Sequence, residues 1–388
     1  MKQAGDRCTR PGGRRMPTLA GFLSVLALVL LVGTAAAQQG GQAPSSSVRP
    51  PPGASIPGGP GVAQPERPGN YDGELWRRVR EGQKGLVSIP DKKAGQLVQS
   101  DGEAWRNFRN GPLPKYGAWA LGGVIVLLAA FLLLRGRIRI EHGWAGSTIT
   151  RFTSLERFGH WLLATSFIVL ALTGLNILYG RYVLLPVLGA DAFAALSQAG
   201  KWLHNYVAFA FMVGLALTFI VWVGHNFPTG RDLTWLLKGG GLLVKGVHPP
   251  SWKFNAGQKI LFWLVMLGGL SLSLSGIALL FPFQTALFAK TFAALNVIGF
   301  NLPTDLTPLQ EMQYATTWHG IVALGLTVVI IAHIYIGTLG MEGAFSAMGS
   351  GQVDVNWARE HHSLWAEREI ERTGQATDAG DAHPAPAE

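Results

Sequence analysis

The sequence predicts an all-α membrane protein, and three observations support that prediction. The 388-residue chain is 48% hydrophobic and only 14% charged, whereas a typical soluble domain has about 25% charged residues. Its mean hydropathy is +0.24, and five apolar runs are long enough to span a bilayer. The formal net charge of +9 lies mostly in short loops beside those runs. That placement is typical of membrane orientation and argues against nucleic acid as a partner.

The cysteine content excludes several classes of cofactor site. The chain has one cysteine, Cys8, close to its start. One thiol cannot build a disulfide framework, a cysteine-ligated zinc site or a self-contained iron–sulfur cluster. The sequence also has no C-x-x-C-H motif for covalent attachment of haem.

The first third of the chain predicts an exported segment. Residues 1–37 are typical of a signal peptide, because a basic start precedes an apolar stretch over 19–32 and small residues that suit cleavage. That stretch is shorter than the ~20 residues of a spanning helix, which favours cleavage over an uncleaved anchor. Residues 38–112 are rich in Pro, Gly, Gln and Ser and predict a disordered exoplasmic segment. Trp76 and Trp105 leave open a short helix or a docking segment there.

Five spanning helices are predicted after this segment. The apolar runs cover approximately residues 116–134, 158–178, 202–223, 260–280 and 314–339. The first gives an extra transmembrane helix within 113–140, the other four give a bundle over 150–345, and 346–388 is a tail. Basic residues follow the first run and fill the 224–259 loop, whereas 180–201 and 282–313 carry few. This asymmetry predicts a periplasmic N-terminal segment and a cytoplasmic C-terminus.

Four histidines lie inside the predicted spans, where ionisable side chains are costly and usually functional. His160 and His333 lie at the predicted cytoplasmic ends of their runs, and His204 and His319 lie at the exoplasmic ends. Each membrane face therefore receives one pair. A lone intramembrane histidine can also pack or relay protons, so a haem-free transporter or scaffold stays an alternative.

The spacing of the histidines on the last helix predicts two stacked cofactors. His319 and His333 are 14 residues apart, so they share nearly one helical face and lie about 21 Å apart along the axis. Neutral imidazole is a good iron ligand, and ligation by two histidines favours electron transfer because no coordination position stays open. We therefore expect two b-type haems, one held by His204 and His319 and the other by His160 and His333.

Other residues near these pairs have weaker predicted roles. Five glycines could let a flat porphyrin approach the backbone, or could serve ordinary helix packing: Gly159, Gly174, Gly320, Gly325 and Gly337. His225 is an alternative to His160 as a ligand, although it lies closer to the membrane boundary. Arg157 is either a partner for haem propionates or a positive-inside anchor.

Five short motifs carry a resemblance to a known family. They are RFGHW at 157–161, GKWLH at 200–204, KFNAGQK at 253–259, TWHG at 317–320 and AHIY at 332–335. Together, in this order and at these depths, they resemble the cytochrome b (gamma) subunit of membrane-bound formate dehydrogenase over roughly 150–365. The predicted fold is then a four-helix transmembrane diheme cytochrome b bundle. The signal peptide, the Pro-rich segment and the first spanning helix are additions to the shortest family members.

The resemblance implies a subunit of a complex in the bacterial inner membrane. A molybdenum- or tungsten-containing catalytic alpha subunit would oxidise formate outside, so this chain carries no catalytic residue for that step. An iron–sulfur beta subunit would pass electrons to the exoplasmic haem and then the cytoplasmic haem. The broader group leaves a hydrogenase or another molybdoenzyme open as the partner.

The resemblance also implies a quinone site beside the cytoplasmic haem. The family places the quinone near a ligand histidine and near an asparagine that precedes the fourth run, which are His333 and Asn255 in this chain. Gln258 is a weaker candidate for the same site. Asn255 could instead be a helix cap, since it directly precedes a predicted helix.

Overall fold

The computed structural model describes residues 85–86, 96–97, 100–242 and 244–373. The predicted signal peptide, most of the Pro-rich segment and residues 374–388 lie outside this part of the chain. In chain order the described helices are α1 Ser100–Asn110, α2 Pro112–Arg135, α3 Ser154–Val183, α4 Leu185–Trp222, α5 Gly230–Leu237, α6 Ala256–Leu280, α7 Leu287–Val297, α8 Pro308–Tyr335, α9 Ser346–Gly349 and α10 Val355–Thr373. The strands are β1 Gly85–Leu86, β2 Gln96–Leu97, β3 Thr148–Thr150 and β4 Gln352–Asp354.

Five of these helices are long and apolar enough to cross a membrane, which confirms the predicted multi-pass, all-α architecture. The spans are Gly102–Arg135, Ser154–Val183, Ala190–His225, Ala256–Leu280 and Pro308–Gly340. Successive spans run in opposite directions, so one end of the bundle collects β3, α5, α9, β4 and α10, and the other collects α7 and the α3–α4 connection. We call these the β3 end and the α7 end.

The spanning helices are longer than the apolar runs that predicted them. α3 continues to Val183, and α4 begins at Leu185 with a break at Gly189, whose φ is 78°. The predicted 180–201 loop is therefore mostly helical. Residues 190–199 are rich in Ala with Leu and Gln, which favour helix, so the helix extends beyond the stretch that hydropathy alone marks.

Capping boxes define where three of the spanning helices begin. Thr153, Asn255 and Thr307 each accept a hydrogen bond from the backbone N–H three residues ahead. The side chain of that third residue returns a bond to the backbone of the cap, which satisfies donors that a helix start leaves free.

The bundle consists of two close helix pairs with an added helix. α3 packs against α4 and α6 packs against α8, while α3 makes few close backbone approaches to α8. The extra helix α2 packs chiefly against α8. At its start, Tyr179 donates a hydrogen bond to the carbonyl of Pro114 at 2.9 Å, which ties α2 to α3 as well.

The β3 end holds a packed core outside the spans. β3 and β4 pair antiparallel, with Ile149 opposite Val353, and α10 folds over them. The core residues here are almost fully buried: Ile149, Phe152, Val353, Val355, Trp357, Ala358 and Ala366. Residues 346–373, which the sequence marks only as a polar tail, are thus packed on the start of the bundle.

A buried arginine joins these elements. Arg151 is 3% exposed and donates a 2.7 Å bond to the carbonyl of Lys253. Its guanidinium also lies 2.8 Å from the Nε2 atom of His362. Three aromatic rings surround the guanidinium at 5.1–5.3 Å, namely Phe152, Trp357 and Trp365. Cation–π attraction and these bonds offset the cost of burying the charge.

Candidate functional site

The structure brings the four predicted histidines together as two pairs. The ring centres of His160 on α3 and His333 on α8 lie 6.2 Å apart. Those of His204 on α4 and His319 on α8 are also 6.2 Å apart. Helix α8 thus supplies one member of each pair, one toward each end of the bundle. Both pairs bridge the space between α8 and the α3–α4 hairpin.

The ring separation fits two imidazoles that share one metal ion. A first-row metal holds an imidazole nitrogen at about 2 Å, and that nitrogen lies about 1 Å from its ring centre, so opposed ligands place their centres about 6 Å apart. Among the described residues, no three His, Cys, Asp or Glu side chains converge on a metal position. Two imidazoles alone leave a metal under-coordinated, which suits a porphyrin that supplies the other four nitrogens.

The α7-end pair, His204 and His319, is held by hydroxyl groups. The Nδ1 atom of His204 lies 2.8 Å from Thr173 Oγ1, and the Nδ1 atom of His319 lies 2.9 Å from Ser275 Oγ. Both hydroxyls donate their own proton to a carbonyl one turn earlier in their helix, that of Val169 for Thr173 and that of Ser271 for Ser275. Each hydroxyl must therefore accept from the imidazole, which leaves Nε2 as the free ligand atom.

A glycine follows each of these hydroxyl residues. A Cβ atom on Gly174 would lie 3.6 Å from Cε1 of His204, and one on Gly276 would lie 3.6 Å from Cε1 of His319. The same dipeptide arrangement, a hydroxyl residue and then glycine, therefore supports each ring of the α7-end pair. Thr173, Ser275 and Gly276 were missed by the sequence reading, although a Ser/Thr-Gly dipeptide occurs on two helices facing the histidines.

The β3-end pair, His160 and His333, has a different environment. The Nδ1 atom of His160 is buried and has no hydrogen-bond partner in the described part of the chain. Its ring instead contacts the rings of Trp161 and Trp222, at 5.3 and 6.3 Å between centres. His160 is thus held mainly by aromatic packing.

The predicted glycines divide between two environments. Gly325 and Gly337, on and just after α8, have open space beside them, because no atom lies within 4 Å of the position that a Cβ would take. A Cβ on Gly159 would lie 3.3 Å from Leu217, and one on Gly320 would lie 3.1 Å from Leu113. The latter two glycines serve close helix packing.

Arg157 and His225 make contacts with residues other than the four paired histidines. Arg157 donates three hydrogen bonds to the carbonyls of Met348, Gly349 and Ser350, at 2.7–3.3 Å. These bonds occupy the guanidinium at the end of α9. His225 is exposed, with its ring centre 6.5 Å from that of Phe254.

Asn255 and Gln258 form the capping box of α6. Asn255 Oδ1 accepts from the backbone of Gln258 at 3.0 Å, and Gln258 Oε1 accepts from the backbone of Asn255 at 3.1 Å. Capping uses the amide oxygens and leaves the two NH₂ groups as donors. Asn255 also lines a cavity of about 410 Å³ at the β3 end, whose wall includes Arg135, Glu141, His248, Met341 and His361.

A membrane-spanning helical bundle with two histidine pairs at two depths defines a transmembrane cytochrome of the b type. The chain belongs to the prokaryotic cytochrome b561 family, whose model matches residues 151–351. Membership implies haem b as the cofactor.

Three curated relatives each match more than half of the chain. The chain is 28% identical over 227 residues to the formate dehydrogenase cytochrome b556(fdo) subunit of Escherichia coli K12. The matched region covers 58% of this chain and 95% of the relative. It is 29% identical over 226 residues to the nitrate-inducible cytochrome b556(Fdn) subunit of the same strain, with 58% and 92% covered. A formate dehydrogenase cytochrome b556 subunit of Haemophilus influenzae is 25% identical, with 57% and 84% covered.

Proposed function

We propose that this chain is the membrane-anchoring diheme cytochrome b subunit of a formate dehydrogenase. The observation that carries the proposal is the pair of 6.2 Å histidine contacts that α8 shares. The names of the relatives support formate dehydrogenase as the complex. The partners are then an iron–sulfur beta subunit and a molybdenum or tungsten catalytic alpha subunit.

The four histidines would hold two haems at two depths. His204 and His319 would hold the haem nearer the α7 end, and His160 and His333 would hold the one nearer the β3 end. Haem b, when bound, supplies an iron that exchanges one electron at a time. Because both imidazoles of each pair face each other, neither site leaves a position for oxygen, which suits electron transfer.

The β3 end is the cytoplasmic end in this proposal. Arg135 ends α2, Arg137 and Arg139 follow it, and the segment between α4 and α6 adds several lysines. The positive-inside tendency places such segments in the cytoplasm of the inner membrane. The α7 end then faces the periplasm and the iron–sulfur subunit, together with the exported N-terminal segment.

The cavity at the β3 end is the proposed quinone site. Its volume of about 410 Å³ lies in the usual range for small-molecule pockets. Asn255, which lines the cavity, presents its amide NH₂ as a donor for a quinone carbonyl. Gln258 and His333, the other residues that the resemblance assigns to the quinone site, do not line this cavity. Glu141 and His248, which are 3.0 Å apart, also line the cavity. Bonds from Gly246 and His248 lower the pKa of Glu141.

Haem content and electron source test the proposed function. The purified complex should contain two low-spin b haems per chain, measured as the pyridine haemochrome against protein concentration. In membranes, formate should reduce both haems, and the iron–sulfur and catalytic subunits should co-purify. Reduction by hydrogen instead of formate would identify a hydrogenase partner, and the absence of a Soret band would identify a haem-free transporter or scaffold.

The quinone role of Asn255 can be separated from its capping role. Asp and Ser are as good at the N-cap position as Asn, but neither carries an amide donor. Asn255→Asp and Asn255→Ser should therefore keep haem content and thermal stability and lower the rate of haem reoxidation by quinone about tenfold, the loss of one hydrogen bond of about 1.4 kcal/mol. Unchanged reoxidation in both variants would limit Asn255 to capping.

A further inference from the structure

The two histidine pairs differ in the hydrogen bonding of Nδ1, the ring nitrogen that is not the proposed metal ligand. At the α7 end, Thr173 and Ser275 accept the Nδ1–H of His204 and His319 at 2.8 and 2.9 Å. Each hydroxyl also lies 2.8–2.9 Å from a carbonyl of its own helix, and donating its single proton there leaves its lone pairs for the imidazole N–H.

The β3-end pair has no equivalent. Nδ1 of His160 is buried and unpaired among the described residues. Its partner His333 also makes no ring hydrogen bond to any residue that the structure describes. Two sites with the same pair of imidazoles, each with one member on α8, thus differ by two hydrogen bonds.

We propose that Thr173 and Ser275 are positioning residues that lower the midpoint potential of the α7-end haem below that of the β3-end haem. An acceptor on Nδ1–H pulls the proton away from the ring and raises the basicity of Nε2. A more basic ligand stabilises the oxidised iron, which carries more positive charge, and so lowers the potential. The inference rests on the proposed function, since it requires a haem at each pair.

The direction of this effect agrees with the direction of electron flow in the proposed complex. Electrons enter at the α7 end and leave at the β3 end, so they move toward the site with the higher potential. Electrons that cross from the periplasmic to the cytoplasmic side move against the membrane potential, which opposes the transfer. A built-in difference between the two sites offsets part of that opposition.

The test is a spectroelectrochemical titration of the holoenzyme complex and of variants. Thr173→Val and Ser275→Ala each remove one acceptor and keep the approximate side-chain volume. Each should raise the lower of the two midpoint potentials, changing its reduced-to-oxidised ratio about tenfold at fixed potential, which corresponds to about 59 mV for one electron. The double variant should shift it further, and the upper potential should stay in place.

Matched controls separate this effect from general loss of packing. Thr327→Val removes a hydroxyl on α8 that donates to the carbonyl of Ala323, and Ser166→Ala removes a buried hydroxyl that donates to the carbonyl of Leu162. Neither control should move either potential. Thr173→Ser keeps the hydroxyl acceptor and should therefore keep the wild-type midpoint potential. This comparison still tests the inference if Thr173→Val loses haem.

Three results would overturn the inference. The first is an unchanged lower potential in the double variant with both haems retained. The second is a shift of the upper potential alone, and the third is an equal shift in the controls. A wild-type complex with fewer than two haems would contradict the proposed function and this inference together, whereas two haems with unmoved potentials contradict the inference alone.

Discussion

The α7-end and β3-end histidine pairs have the same ring separation and very different surroundings. Both pairs have ring centres 6.2 Å apart and take one member from α8. The α7-end pair is oriented by side-chain hydroxyls of α3 and α6 within the bundle. The β3-end pair lies beside aromatic rings that continue into the packed core around Phe152 and Trp222.

The difference shows that one ligand geometry can be produced by two kinds of support. Directed hydrogen bonds fix the α7-end rings one by one, so small local changes should affect that site. Packing fixes the β3-end rings collectively, so that site should depend on how firmly β3, β4 and α10 are attached. Variants that disturb one end at a time test this contrast.

Removal of a ligand should have the largest effect. His319→Leu should abolish the α7-end haem and His160→Leu the β3-end haem, because a single axial imidazole binds haem b weakly compared with two. Haem quantification of each purified complex should give half the wild-type value. The exposed His225, changed to Leu, is the matched control and should keep both haems.

The pairing itself would be wrong if His319→Leu and His160→Leu removed the same haem. The two losses can be distinguished by the α-band position and midpoint potential of the haem that remains. Loss of haem in His225→Leu with retention in His160→Leu would instead make His225 a ligand.

Substitution of the glycines beside the α7-end rings should have the next largest effect on haem content. A Cβ on Gly174 would lie at ordinary contact distance from His204, 3.6 Å, so Gly174→Ala should be tolerated. The extra methyl groups of Gly174→Val would push the imidazole from its position, and overpacking of this kind costs about 1–3 kcal/mol. Haem content should fall in the Val variant and selectively at the α7-end site. Equal haem content in both variants would contradict this packing role.

The sequence was sufficient to predict the spans and which histidines lie near each other, while haem ligation by these pairs stays a prediction. Hydropathy marks each spanning helix, and a 14-residue spacing puts His319 and His333 on one face of α8. Hydropathy does not mark α5 and α7, which are short helices in the predicted loops. The supports of the rings were also missed, because a bond such as Thr173 to His204 joins residues on different helices and depends on how those helices pack.

Arg151 is the point where packing of the β3 end can be weakened. Arg151→Leu leaves two buried acceptors, Nε2 of His362 and the carbonyl of Lys253, without their donor. Unsatisfied buried acceptors cost about 1–3 kcal/mol each, so the two together should cost about 2–6 kcal/mol. On heating, the β3-end haem signal should be lost at a lower temperature than in the wild type, and the α7-end signal should change less. Arg139→Leu, at an exposed position, is the control; equal destabilisation of both haem signals in Arg151→Leu would contradict local support.

Acidification should weaken the same end by a smaller amount. Burial, and then the positive charge of Arg151, hold the pKa of His362 well below its usual value, and burial also lowers the pKa of His361 to about 4. Between pH 7 and 5 the unfolded chain therefore binds protons at these histidines that the folded chain does not. Stability rises with pH wherever the unfolded state binds more protons, so it is lost as the pH falls through about 6.5, the usual pKa of histidine.

A variant without these two titrations isolates their contribution. Gln at 362 can accept from Arg151 through its amide oxygen and donate to the carbonyl of Trp252, which lies 2.8 Å from Nδ1 of His362 in the wild type. The double variant His361→Gln, His362→Gln should therefore show a smaller fall in the melting temperature of the β3-end haem signal between pH 7 and 5 than the wild type does. The same fall in both proteins would show that these histidines do not control attachment of α10. That result would also contradict the expectation that acid weakens the β3 end more than the α7 end through these two histidines.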